Sequence, residues 1–234
     1  MIQENQNLNR PQACPWAIRE VAFAFLAGFI LSALPALFAF GESHLPLAGE
    51  LLACVLQSAG FISVPLLLVC GVYRQPISTL GFRRPAPREF FLVACLGGGF
   101  LYLLNLMLST LMLWILPEAW VQEQSVVLLL EMADAPVERV LIVLFILLLA
   151  PFSEELLFRA FLYPALCRQM SEKRAVFCGA AVFAALHLNL FAFVPLFAGG
   201  IGFNWIYARY RNLWYNVAVH MMWNALSLLL YFLA

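Results

Sequence analysis

Glu154 and Glu155 stand side by side in Pro151-Phe152-Ser153-Glu154-Glu155-Leu156-Leu157-Phe158-Arg159, at the end of the apolar run Val140 to Ala150. A charged side chain within a membrane helix costs roughly 2.5–3.5 kcal/mol on insertion scales, so charges kept there face an internal cavity and pair or do chemistry. On a helix Glu155 and Arg159 are i and i+4, on one face, and can neutralise each other. Glu154 is rotated by about 100° and is left to point elsewhere. The pattern is one braced carboxylate beside one unbraced carboxylate.

Further polar groups interrupt other apolar runs. His187 ends Phe183-Ala184-Ala185-Leu186-His187, and His220 and Asn224 are i and i+4 in Val219-His220-Met221-Met222-Trp223-Asn224, with Asn216 one turn earlier on the same stripe. His44 falls in a loop between spans and carries no such signal. A carboxylate with a histidine beside it can hold and deprotonate a water. A second histidine and an amide N–H can donate to the oxyanion that forms on a carbonyl under attack. The set therefore suits hydrolysis. Three other readings remain open on the residues alone: helix bracing, a zinc site built from the two histidines and a glutamate, and proton-coupled transport. No HExxH motif is present, and zinc leaves Asn224 and Arg159 without a role.

The elements that must position these groups are membrane helices. The 234 residues are 64% hydrophobic and 11% charged, with a mean hydropathy of +0.90, whereas a soluble domain carries about 25% charge and about 45–50% apolar residues. The fold class expected is all-α, a polytopic bundle of about seven spans near 18–40, 48–73, 90–116, 139–163, 175–194, 196–208 and 213–233, the sixth short and a candidate for re-entry. Thirteen basic residues balance thirteen acidic ones, which gives no footprint for nucleic acid. The six cysteines form no CxxC pair and read as buried small hydrophobes.

Basic residues mark one side. Arg10 and Arg19 precede span one; Arg74, Arg83, Arg84 and Arg88 follow span two; Arg168, Lys173 and Arg174 follow span four; Arg209 and Arg211 precede span seven. The opposite loops carry Glu42, Glu118, Glu123, Glu131, Asp134 and Glu138, with Arg139 their one base. The positive-inside rule then puts the N-terminus in the cytoplasm and the C-terminus outside. The expected organisation is a disordered tail over 1–17, N-terminal helices over 18–116 with a basic loop at 74–89 along the headgroups, a solvated acidic outer loop over 117–138, and a catalytic core over 139–234. Glycines 97 to 99 offer close helix packing. At about 1.5 Å per residue, Glu154, His187 and His220 fall between the cytoplasmic interface and the midplane.

Glu154-Glu155-x-x-x-Arg159, Phe183-x-x-x-His187 and His220-x-x-x-Asn224, in that order, resemble the three-motif signature of the CPBP family (CAAX protease and bacteriocin-processing, or Abi), over about the last 40% of the chain. The resemblance implies an intramembrane glutamic endopeptidase that cleaves near the cytoplasmic side and needs no metal or cofactor. It implies that Glu154 is the base, sharing its water with His187. His220 and Asn224 would then form the oxyanion hole, and Glu155 with Arg159 would support the site. The implied partners are membrane lipids and a protein or peptide substrate, lipidated or membrane-anchored, in a bacterial inner membrane. A proton-coupled transporter or a non-proteolytic scaffold is the alternative for the same cluster.

Overall fold

The computed structural model describes residues 14–38, 45–121 and 125–233. His44, Arg10, Glu42 and Glu123 lie outside the described residues. The described chain is helical and contains no strand. We number the helices α1 Ile18–Phe38, α2 Leu47–Val72, α3 Pro87–Ile115, α4 Ser125–Glu131, α5 Pro136–Gln169, α6 Glu172–Ala185, α7 Leu190–Tyr210 and α8 Leu213–Leu233. Six of them, all but α4 and α6, are long and apolar enough to cross a membrane. The protein is an integral, multi-pass membrane protein.

Two expectations for the spans are corrected. The fifth span, expected over 175–194, is a helix of only 14 residues that stops at Ala185. The sixth, expected to be short, is a continuous 21-residue helix that takes in Pro195 and the glycines. The chain reverses between them through Leu188, in the left-handed region at φ 51°, and the Asn189 side chain accepts from Ala192 N at 2.9 Å, which caps α7. That stretch is uniformly apolar apart from His187 and Asn189, so hydropathy alone does not mark the reversal.

The two ends of the bundle differ. Toward the basic loops lies a continuous core that includes Val69, Leu80, Phe161, Tyr163, Tyr207 and Leu213. Residues 14–17, expected as tail, belong to this core. Trp16 is fully buried, stacks on Phe161 at 5.1 Å and donates its indole N–H to Phe161 O at 2.8 Å. Arg168 fastens it by donating to Trp16 O at 2.6 Å. Burial also pushes the Cys14 thiol up to about 11, so it is not a reactive thiol at neutral pH. All six cysteines are unpaired. The basic loop docks at the start of α8, where Leu213 N donates to Gly81 O at 2.9 Å and Asn212 donates to Arg83 O at 3.1 Å.

The segment 117–138 is not simply solvated surface. Leu129, Leu130 and Ala133 are buried against Ile142, Ile146 and Leu228, so α4 packs on the bundle. Close approach by α3 depends on glycine. A Cβ on Gly98 would sit 2.6 Å from Met222 Cβ and 3.0 Å from Val219 O, whereas Gly99 has open space around it. Gly98→Ala is expected to cost about 1–3 kcal/mol through overpacking, with Gly99→Ala at or above wild-type stability. Thermal unfolding of both variants in detergent checks this, and equal melting temperatures would remove Gly98 as a packing determinant.

Candidate active site

The α5 helix carries the two glutamates between two wide, π-type turns, Phe145–Leu149 and Leu156–Leu162. Such turns concentrate at functional sites because they re-aim side chains that a regular helix would stack in register. Glu155 and Arg159 are both wholly buried, with Arg159 Nη1 3.2 Å from Glu155 Oε1, as their spacing predicts. Arg159 also lies against the faces of Phe183 and Phe203, at 4.3 and 4.8 Å from the ring centroids. Its nitrogens make no hydrogen bond of good geometry. The buried charge is held by one carboxylate and by aromatic faces, with Phe158 a third, more distant ring at 5.7 Å.

Glu155 does more than neutralise Arg159. Its Oε1 accepts from His220 Nδ1 at 2.8 Å, and its Oε2 accepts from Asn216 Nδ2 at 3.2 Å. Asn216 also donates to Phe203 O at 2.8 Å. The stripe Asn216–His220 on α8 is thus clamped to α5 through one carboxylate. A carboxylate on Nδ1 fixes the tautomer and directs Nε2 outward. Nε2 of His220 lies 4.0 Å from Glu154 Oε2.

Glu154, His187, His220 and Asn224 line a single cavity of about 360 Å³. Helical geometry separates the two glutamates as expected: Glu155 is sealed in the bundle, while the Glu154 side chain is 25% exposed. His187 is not within a spanning helix. It sits in the turn after α6, its Nδ1–H donating to Phe183 O at 2.8 Å and its ring edge-on to Phe183 at 4.7 Å. Its Nε2 then carries a lone pair. Asn224 donates one amide hydrogen to Ile146 O at 2.8 Å, which leaves a second N–H in its inventory. Phe183 and Phe203 also line the cavity and separate it from Arg159.

Sequence reasoning missed three features. The aromatic faces around Arg159 come from Phe183, which stands in the second motif, and Phe203, which had no signal. The role of Glu155 as a hub for α8 was hidden, although Asn216 and His220 shared a stripe. The contact of Ser153 Oγ with Ser58 Oγ at 3.2 Å joins α5 to α2 beside the cavity, and neither residue stood out.

A carboxylate–histidine cluster enclosed in a multi-pass helical bundle is an arrangement that can carry out hydrolysis within a membrane. Residues 136–226, which hold all six motif positions, match the family model of the type II CAAX prenyl endopeptidases, Rce1-like. Over that segment the chain is similar to the CAAX prenyl endopeptidases, and the similarity indicates an intramembrane protease. Comparison with curated proteins and with solved structures gave no match.

Proposed function

We propose that the protein is a glutamic endopeptidase in which Glu154 activates water within the membrane. The observation that carries this reading is the orientation of His220: Glu155 holds its Nδ1 at 2.8 Å and its Nε2 faces Glu154 in a cavity shared with His187 and Asn224. Water held by Glu154 and the His187 Nε2 lone pair attacks the scissile carbonyl, and Glu154 takes its proton. The tetrahedral oxyanion receives the free amide N–H of Asn224 and Nε2–H of His220. With one proton fixed on Nδ1, His220 donates from Nε2 only when the ring is doubly protonated, with Glu155 as its counter-charge. On collapse the C–N bond breaks and Glu154 passes its proton to the leaving amine, which restores the carboxylate.

The basic loops favour an N-terminus in the cytoplasm, and the location on this reading is a bacterial inner membrane. His220 is seven residues into α8 from its basic-loop end, about 10 Å along the axis, which supports cleavage nearer the cytoplasmic side. The substrate on this reading is a lipidated or membrane-anchored polypeptide. Comparing membrane-protein termini in cells that carry wild type or Glu154→Ala tests it directly. New termini are expected with wild type alone, and identical termini in both would remove the proteolytic reading.

Metal-free chemistry is a separate expectation. Among the described residues no three His, Cys, Asp or Glu side chains converge as ligands of one ion. Prolonged chelation is expected to leave cleavage unchanged and the purified protein to hold substoichiometric zinc. Stoichiometric zinc that disappears in His187 or His220 variants would overturn this.

A further inference from the structure

We propose that Asn216, which stands outside all three motifs, is a positioning residue for the reaction. It holds the second oxygen of Glu155 and so keeps that carboxylate on His220 against the pull of Arg159. This role presupposes the proteolytic reading and adds one residue to its machinery. Three donors approach Glu155: Arg159 Nη1 at 3.2 Å and His220 Nδ1 at 2.8 Å both meet Oε1, while Oε2 takes Asn216 Nδ2 at 3.2 Å. An arginine pairs best with a carboxylate through two parallel bonds, one to each oxygen. Arg159 does not. Its contact is to one oxygen, and its Nε, Nη1 and Nη2 are buried without a hydrogen bond of good geometry. A forked pair is open to Arg159 and Glu155, yet Oε2 is given to Asn216.

The last torsion of a glutamate is broad, so the carboxylate itself offers little resistance to turning. Resistance comes from Asn216. Its side chain is wholly buried on α8, and it donates a second time, to Phe203 O on α7 at 2.8 Å. Both kinds of tie, to α5 and to α7, use its amide hydrogens, so the residue is not free to follow Glu155. Its Oδ1, by contrast, is buried with no partner. An orphaned acceptor makes a buried amide a poor choice for packing alone, where an apolar side chain of similar shape serves as well or better. The asparagine is explained by its donors. Without it, Oε2 can swing to the guanidinium and Oε1 leaves Nδ1. His220 then loses the bond that keeps Nε2 4.0 Å from Glu154.

Asn216→Leu tests this in the full chain, with Asn216→Ala as a smaller second variant. The chain has three histidines, His44, His187 and His220, so selective isotope labelling of histidine in detergent resolves each ring by NMR, and His220→Gln assigns its signal. In wild type the Nδ1 proton of His220 is expected far downfield, as a charge-assisted bond to a carboxylate places it. In both variants that proton is expected to move upfield or vanish, with His187 unchanged. New termini in membranes are expected to form about 10²-fold more slowly, the cost of one mis-set oxyanion donor, while Asn216→Leu melts close to wild type. An unmoved His220 proton in both variants overturns the proposal. So does a melting temperature that falls while cleavage per folded molecule is unchanged, which is the result of bracing alone. The histidine signals need no turnover. A His220 proton that moves as expected, in a protein whose wild type generates no new termini, supports the tie and overturns the proteolytic reading instead.

Discussion

Arg159→Ala is expected to destabilise the bundle by about 3–5 kcal/mol, the usual cost of leaving the partner of a buried pair uncompensated. Glu155 would keep its hydrogen bonds to His220 and Asn216 but lose the cation 3.2 Å away, in a position with no access to water. The substitution also empties the space between Phe183 and Phe203. Replacing both partners, as Glu155→Gln/Arg159→Gln, leaves no lone charge, and part of the loss should return. Thermal unfolding in detergent reads both effects. A double variant that melts no higher than Arg159→Ala would show that the two charges are not coupled. Recovery of stability without recovery of cleavage is the expected pairing, because Glu155 also aims His220.

Glu154→Gln is expected to leave the melting temperature near that of wild type while cleavage falls by about 10²–10⁴-fold or more, the span associated with loss of a positioned general base. The amide keeps the shape of the side chain and removes its ability to take a proton from water. The ion-pair contact of Glu154 with His220 Nε2 is long, at 4.0 Å, and its side chain is partly exposed in the cavity. Little folding energy depends on it. Neighbouring glutamates one residue apart should therefore separate cleanly, 154 in activity and 155 in both activity and stability. Retained cleavage in Glu154→Gln would displace it as the base. A melting temperature as low as that of Glu155→Ala would mark the whole cluster as structural bracing.

What could be read from the sequence was whatever depends on spacing within one helix. The Glu155–Arg159 pair, the opposite rotation of Glu154, and the Asn216–His220–Asn224 stripe follow from residues per turn alone, and each stands where the spacing puts it. Charge in the loops separated the two faces of the bundle. What could not be read was set between helices. The reversal at His187 to Asn189 hides in an apolar run, and its one local signal was an asparagine able to cap the next helix. The burial of Trp16 needs Phe161, 145 positions away. The wide turns on either side of the glutamates have no residue signature, since they answer to packing around the charges.

The α6 helix has a consequence for the lipid as well as for the site. Its 14 residues supply about 21 Å, against a hydrocarbon thickness of about 30 Å. Its hairpin partner α7, at 21 residues, matches that thickness, and α5, at 34 residues, far exceeds it. Hydrophobic mismatch of opposite sign is thus built into adjacent helices. The bilayer must thin where the 186–189 turn ends, or that irregular backbone must be wetted from within, since non-helical chain survives at such depth only against protein or a hydrated space. His187 and Asn189 are cavity-lining residues in that turn. Where the turn is wetted from within and not met by a thinned bilayer, the shortfall in α6 admits water to the cavity that also holds Glu154, in a layer that otherwise excludes it.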